Sequence, residues 1–210
     1  MVKGFLLVCG LALGVASAQE YYVGGSGGFS FTPDISVRSP AGSANTGFNS
    51  GGAFGAFLGD DMYNYWGGEV RYLYQQTDLK LSGGGQSVHF GAHQNIIHAD
   101  FLGHLRGRES RVRPFIAFGA GVRFIQGTGN ESAAQPLGDI AALTHTFESL
   151  PVADFGAGIK FNFRKSWQLR VEVRDYLSPA PNKVIAPVPG GSIDGWFNNI
   201  VGMGSIAYTF

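Results

Sequence analysis

The chain has 210 residues, of which 33 are glycine and only 14% are charged, and its formal net charge is zero. Soluble domains usually contain about 25% charged residues, and nucleic-acid-binding domains usually carry a basic excess. The composition therefore argues against a nucleic-acid partner and favours a single glycine-rich β domain.

The first eighteen residues have the features of a secretory signal peptide. Lys3 precedes an apolar run from Gly4 to Val15, and the small residues Ala16 and Ala18 follow it. This arrangement predicts a signal peptide over 1–18, and a mature domain over 19–210. The only cysteine, Cys9, lies inside that signal, so no disulfide is expected. No later apolar run is long enough for a membrane-spanning helix.

Eight segments have the alternation or composition of β-strands. The predicted strands are 20–31, 48–59, 65–77, 88–105, 113–126, 150–163, 167–178 and 197–210. The connections alternate in length: 32–47, 127–149 and 179–196 are long, 78–87 is intermediate, and 60–64, 106–112 and 164–166 are short. Long loops at one end and tight turns at the other are typical of transmembrane barrels. We therefore predict an all-β, eight-stranded antiparallel up-and-down transmembrane β-barrel. The proline-rich segment 178–195 is expected to be an exposed loop without strands.

The side chains of "WQLRVEVRDYL" at 167–177 alternate between an apolar face that includes Leu169 and Val171 and a charged face that includes Arg170 and Glu172. In the other strands that can be phased, glycines such as Gly119 fall on the charged face. A water-exposed surface has no steric need for glycine, whereas the interior of an eight-stranded barrel is crowded. We therefore expect the charged face to line the lumen and the apolar face to contact lipid. The alternative is a soluble lipocalin-like barrel or sandwich with the apolar face inside.

Aromatic residues lie near the ends of the predicted lipid-facing strands, as expected for girdles at the membrane interfaces. They are Trp66, Tyr72, Tyr74, Phe124, Phe163, Trp167, Tyr208 and Phe210.

The last segment, "FNNIVGMGSIAYTF", places Ile206, Tyr208 and Phe210 on one face and ends on an aromatic residue. Here the chain resembles the bacterial outer-membrane β-barrel family, in particular its small eight-stranded members of the OmpA transmembrane-domain and OmpX type. The resemblance implies an outer-membrane location in a Gram-negative cell envelope, with contacts to outer-membrane lipids and both termini in the periplasm. It also implies that the barrel-assembly machinery recognises the chain through Phe210. We expect the barrel to be a monomer.

The phasing places charges of both signs in the lumen. They are Glu69, Arg71, Asp100, Arg123, Asp154, Lys160, Arg170, Glu172 and Arg174. Because an unpaired buried charge costs several kcal/mol, we expect a paired network that plugs the barrel. The function would then be structural or would reside in the outer loops, where sequence is free to vary. The alternative is a narrow porin-like pore, although a selective pore more often carries a ring of one sign.

Other candidate sites are weaker. His89, His93, His98 and His104 cluster on the fourth predicted strand. His98, Asp100 and His104 share its lumen face but spread over roughly 20 Å, so we expect no metal site, and no motif indicates a cofactor. The turn that carries Arg106, Arg108, Arg111 and Arg113 is expected to be solvated, with binding to anionic headgroups or a periplasmic polymer as the alternative. A lipid-modifying enzyme would need converging catalytic groups; Ser205 and His104 are candidates, but no motif joins them, so we predict no enzyme.

Overall fold

The computed structural model describes residues 20–131, 134–164, 166–193 and 195–210. The predicted signal peptide lies outside these residues. No helix in the described ranges is long and apolar enough to cross a membrane.

The described residues form β-strands joined by turns and irregular segments. The strands are β1 (Glu20–Phe31), β2 (Ile35–Ser39), β3 (Gly42–Phe48), β4 (Gly51–Asp61), β5 (Trp66–Gln76), β6 (Leu79–Gly83), β7 (Gln86–Phe90), β8 (Ala92–His104), β9 (Val112–Gly127), β10 (Ala141–Leu143), β11 (Phe147–Arg164), β12 (Trp167–Pro179), β13 (Ile185–Pro187), β14 (Ser192–Ile193) and β15 (Trp196–Thr209).

Eight of these strands close into a barrel in the order β1-β15-β12-β11-β9-β8-β5-β4. Each barrel strand pairs antiparallel with the barrel strands before and after it in the chain, and β1 closes the barrel against β15 from Tyr22↔Thr209 to Phe31↔Ile200. The predicted eight-stranded antiparallel up-and-down barrel is therefore confirmed.

The alternating faces of the strands have the predicted orientation. On β12, Leu169, Val171 and Val173 are exposed on the outside, whereas Arg170 and Glu172 are buried. The lumen is also as crowded as the glycines indicate. A Cβ added to Gly119 would lie 2.2 Å from Asp100 Oδ1, whereas one added to the outward-facing Gly204 would meet nothing within 4 Å.

The long connections differ from the prediction of irregular loops. They contain a five-stranded sheet in the order β14-β2-β3-β6-β7 and a two-stranded sheet of β10 and β13. The predicted strand 88–105 is two strands, with Gly91 between them: β7 belongs to the five-stranded sheet and β8 to the barrel. The segment 178–195, expected to lack strands, contains β13 and β14, and its Val184 and Ile185 are fully buried.

These two small sheets lie at the loop end of the barrel and share one hydrophobic core, and we call them the cap. Its buried residues are Val37, Ala44, Phe48, Leu79, Leu81, Phe90, Ala92, Ile125, Ile140, Ala141, Leu143, Val184, Ile185 and Phe197. Ala92, Ile125 and Phe197 come from barrel strands, so the cap core is continuous with the inner wall of the barrel. Burial of this apolar surface supplies the free energy that orders the loops.

Candidate functional site in the barrel lumen

The centre of the lumen contains a network of two glutamates and three arginines from β5 and β12. Glu69 accepts hydrogen bonds from Arg71 at 2.7 Å and from Arg170 at 2.7 Å. Glu172 accepts from Arg71 Nη2 at 2.6 Å and from Arg174 Nε at 3.0 Å. All five side chains are almost completely buried. Each carboxylate bridges two guanidinium groups, so the two strands are joined across the lumen by charge-assisted hydrogen bonds.

Arg174 connects this centre to a second acidic group on β8 and β11. Its Nη1 lies 2.6 Å from Asp100 Oδ2 and 2.8 Å from Asp154 Oδ2. His98 Nδ1 lies 2.7 Å from Asp100 Oδ1 and 3.3 Å from Asp154 Oδ1. The Tyr176 hydroxyl is 3.3 Å from His98 Nε2. Arg174 is therefore bonded to carboxylates from three other positions in the lumen.

His98, Asp100 and Asp154 have the composition of a metal-binding group, since one ligand atom from each lies within 4.8 Å of the others. The sequence pattern grouped His98 and Asp100 with His104, and the third member is instead Asp154 from another strand. Both carboxylates already bind Arg174. Because that guanidinium supplies the positive charge that the carboxylates require, the group serves better as an ion-pair cluster than as a metal site.

A third group lies toward the turn end, around Asp61. Asp61 accepts hydrogen bonds from Arg113 Nη1 at 2.5 Å and from Lys160 Nζ at 3.2 Å, and His104 Nε2 lies 3.8 Å away. Strand parity placed Lys160 in the lumen, but Asp61 was missed. Arg113 was expected in a solvated turn, whereas its side chain is 1% exposed. Both residues occupy inward-facing positions, so their strand parity was the signal that could have found them.

Arg123 was expected in the charge network, and this expectation is wrong in one respect. Its side chain is fully buried, but its contacts are the Ser178 hydroxyl at 2.9 Å, the Tyr176 carbonyl at 3.1 Å and the Phe197 ring at 5.7 Å. None of these partners is a carboxylate. Parity gives the facing of a residue but not its height, and Arg123 lies on β9 above the acidic groups, where its hydrogen-bond partners are neutral.

Aromatic rings cover the cations on the turn side of the network. Arg170 lies 4.7 Å from the centroid of Phe57 and 5.2 Å from that of Phe115, and Lys160 lies 4.6 Å from that of Tyr22. Cation–π contacts in a desolvated site contribute about 2 kcal/mol. The Tyr22 hydroxyl also donates to Glu69 at 3.1 Å.

An apolar layer separates the network from the cap. It contains Ala53, Leu73, Ile96, Val152, Tyr176, Val201 and Met203. The sequence does not reveal this layer, because each strand contributes only isolated apolar residues to its polar face. These residues come together only when the barrel closes. Above it, Asn199 Nδ2 donates to Gln75 Oε1 at 2.6 Å and Gln94 Nε2 donates to Thr77 Oγ1 at 3.1 Å. The Asp61 group, the ion-pair network, the apolar layer and these amide pairs thus follow one another along the lumen toward the cap.

The predicted interface aromatics lie on the outer surface. Trp66, Tyr72, Phe163, Trp167, Tyr208 and Phe210 are exposed, and Tyr74 and Phe124 are partly exposed. Several pair at the turn end: the rings of Trp167 and Tyr208 are 5.3 Å apart, and those of Tyr21 and Phe210 are 6.3 Å apart. Amphipathic rings at this level suit the boundary between lipid and water.

The family described as "Outer membrane protein beta-barrel domain" matches residues 4–182 of the sequence. The chain belongs to this family. Family membership supports the outer membrane as the location of this barrel. No curated protein sequence matches the chain.

Solved outer-membrane barrels share the fold. The chain is similar to OprG of Pseudomonas aeruginosa, with a TM-score of 0.64, 12% identity and coverage of 92% of this chain and 96% of that one. Neisserial surface protein A gives a TM-score of 0.57 at 10% identity, covering 92% of this chain and all of the other. A major outer membrane protein from Thermus thermophilus gives 0.54 at 15% identity, with the same coverage. At these identities the likeness establishes the fold alone.

Proposed function

We propose that the protein is a plugged outer-membrane barrel whose role is structural or is carried by surface contacts of its cap. The observation that carries this proposal is the buried ion-pair network. Its central residues Glu69, Arg71, Arg170, Glu172 and Arg174 span the lumen and are at most 3% exposed. Since both ends of each ion pair are desolvated and bonded to one another, an ion that enters must compete with these existing bonds.

The cap provides a second closure and a defined surface. Its apolar core covers the loop end of the lumen, while the opposite face of the five-stranded sheet presents polar side chains such as Asn45, Lys80 and His89. Lys80 donates to Asp34 at 2.9 Å, and Asn49 bonds His89 at 3.0 Å. An ordered polar sheet displayed above the membrane is suited to contacts with other molecules at the cell surface.

The orientation and the remaining partners form part of the same proposal. Short turns at the periplasmic end are typical of bacterial barrels, so both termini would lie in the periplasm. The outer aromatics would contact outer-membrane lipids. The barrel would be a monomer, in which the outer surface contacts lipid and no second copy of the chain. Phe210 is 67% exposed at the end of β15, where the assembly machinery has access to it.

Conductance in planar bilayers tests the plug, and a narrow passive pore is the competing function. We expect the purified protein to give no steady current over a wide voltage range, and a steady open-channel current would overturn the plug. A second measurement distinguishes closure by the cap from closure by the lumen network. It compares Leu81→Asp, in the cap core, with the control Gln86→Asp at an exposed cap residue. Silence in both variants assigns the closure to the lumen network; current in Leu81→Asp alone assigns it to the cap and refutes the lumen plug.

We propose no catalytic role. Within the described part of the chain, Ser205 Oγ and both ring nitrogens of His104 are buried without a hydrogen-bond partner, so these two candidates do not form a nucleophile and base pair. The acyl composition of membrane lipids, compared with and without the protein, checks this proposal. An altered acyl pattern would contradict it.

A further inference from the structure

A polar cavity of about 360 Å³ opens at the turn end of the barrel, below the ion-pair network. Its wall includes Asp61, Arg113, Asn162 and Gln168 from barrel strands, and its rim includes charged residues from the strand ends and the β8–β9 turn. The lumen proposal above does not use this cavity, because the network closes the barrel above it. The volume lies within the range of small-molecule sites, about 300–1,000 Å³.

Hydrogen bonds hold the wall in place. Arg113 donates to Asp61 and to the Asn64 carbonyl, the latter at 3.2 Å. Asn162 Nδ2 donates to the Ser110 carbonyl at 3.1 Å, which fixes the β8–β9 turn against β11. A wall that is preorganised in this way loses little conformational entropy when a ligand binds.

One buried acceptor in this wall has no partner. A backbone carbonyl only accepts hydrogen bonds, so Asn162 must direct Nδ2 to Ser110 and leave Oδ1 for Gln168. Gln168 accordingly donates Nε2 to Asn162 Oδ1 at 2.9 Å. This arrangement leaves Gln168 Oε1 without a hydrogen bond to any described residue, although Gln168 is only 4% exposed. Because an unsatisfied buried acceptor is unfavourable, an occupant with an N–H or O–H donor gains a hydrogen bond when the Gln168 side chain turns its Oε1 toward the cavity.

The rim carries charges of both signs. Arg108 and Arg164 supply guanidinium groups, and Glu20 and Glu109 supply carboxylates. A purely anionic ligand would be repelled by the two glutamates and a purely cationic one by the two arginines. A molecule with both an ammonium and a carboxylate group complements the rim.

We propose that this turn-end cavity binds a small zwitterion of amino-acid or dipeptide size. Its carboxylate pairs with the rim arginines, its ammonium group with the rim glutamates, and one N–H donates to Gln168 Oε1. With the proposed orientation the ligand enters from the periplasm. The site does not require a conducting lumen, so a failure of the plug proposal leaves this one standing.

Binding of the dipeptide Ala-Ala to the full mature chain in lipid nanodiscs tests the proposal, with titration calorimetry as the readout. We expect saturable binding of Ala-Ala, and binding at least fivefold weaker for N-acetyl-Ala-Ala and for Ala-Ala amide, because each analogue lacks one of the two charges. Absence of Ala-Ala binding would overturn the proposal. Equal binding of all three peptides would also overturn it, since it would show that charge complementarity plays no part.

Two variants locate the site. Gln168→Leu removes the orphan acceptor and is expected to weaken Ala-Ala binding roughly tenfold, whereas Gln86→Leu on the exposed edge of the cap leaves it unchanged. Arg164→Gln should weaken binding several-fold, and Arg111→Gln, on the neighbouring turn outside the cavity, should not. A heat-modifiability gel shift establishes that each variant is folded. If Gln168→Leu does not fold, the exposed pair Arg164→Gln and Arg111→Gln decides, and equal affinities in that pair refute the site.

Discussion

Glu172→Gln should destabilise the barrel strongly, because it removes one charge from the centre of the network and keeps the size of the side chain. Glu172 is 2% exposed and accepts bonds from Arg71 at 2.6 Å and from Arg174 at 3.0 Å. A glutamine can accept from one of these arginines, but its amide N–H₂ then faces the other. Breaking a buried ion pair by removing one partner costs about 3–5 kcal/mol. The lower value corresponds to a roughly 150-fold larger unfolding constant.

Urea unfolding of the protein in lipid vesicles measures this loss. The three tryptophans, Trp66, Trp167 and Trp196, are between 40% and 65% exposed on the outer surface, so their fluorescence reports transfer from lipid to water. With an m-value of about 1–3 kcal/mol per M, a loss of 3 kcal/mol lowers the midpoint by about 1 M or more.

Glu131→Gln is the control, because Glu131 is exposed and accepts a hydrogen bond from the backbone N–H of His145 rather than from a buried cation. We expect it to change stability by no more than about 1 kcal/mol. Combining Glu172→Gln with Arg71→Gln should cost less than the sum of the two single changes, because the double variant removes a cation together with an anion. Equal midpoints for Glu172→Gln and Glu131→Gln would refute the paired network.

Three further predictions follow from the lumen and the cap. Gly119→Ala should prevent or strongly impair folding in a heat-modifiability assay, because its Cβ would lie 2.2 Å from Asp100 Oδ1. Gly204→Ala, whose Cβ would meet open space, should fold normally. Normal folding of both variants would contradict the crowded lumen. Arg123→Met should cost less in urea unfolding than Glu172→Gln, because none of the hydrogen-bond partners of Arg123 is a carboxylate, and an equal loss would show that the guanidinium has an ionic partner. Ile185→Asp should expose the loops to limited proteolysis while the barrel keeps its gel shift, and loss of the shift would show that the cap and the barrel unfold together.

The barrel itself was predictable because its physics is periodic. Alternation fixes which side chains share a face, and the alternation of long and short connections fixes an even, antiparallel strand order. The decision between inside and outside needed one further fact, the position of the glycines. Gly119 and Gly156 lie where a Cβ would meet Asp100 Oδ1 at 2.2 Å and Arg174 Cγ at 2.7 Å, and no solvated surface would impose that restriction.

The candidate site was predictable by composition but not by pairing. Strand parity assigned Glu69, Arg71 and Glu172 to the lumen, because each residue's facing is a local property. The partners depend on height along the barrel axis and on strand register, which a single sequence does not provide. For this reason Lys160 pairs with Asp61, which was overlooked, and Arg123 bonds to a hydroxyl and a carbonyl rather than to a carboxylate.

The cap was missed because its strands are short and its core is assembled from distant segments. β13 and β14 have three and two residues, too few for a period to show. Their prolines and glycines match the composition of an exposed loop. Tertiary packing orders these strands, because Val184 and Ile185 are fully buried in a core shared with Val37 and Leu143. Burial of each such side chain contributes about 1.5–3 kcal/mol.

The cap and the lumen network together define what this barrel can do. A cap alone is a removable closure, because loops that fold on an apolar core can open at a cost set by that core. The lumen network differs from the cap, because Glu69 and Glu172 belong to barrel strands and hold guanidinium groups inside the barrel. Opening the network would leave several buried charges unpaired at once. Permeation would therefore require disruption of bonds between β5 and β12 as well as displacement of the cap. For this reason the two activities proposed above lie at the ends of the barrel, in the polar face of the cap and in the turn-end cavity, rather than along the path between them.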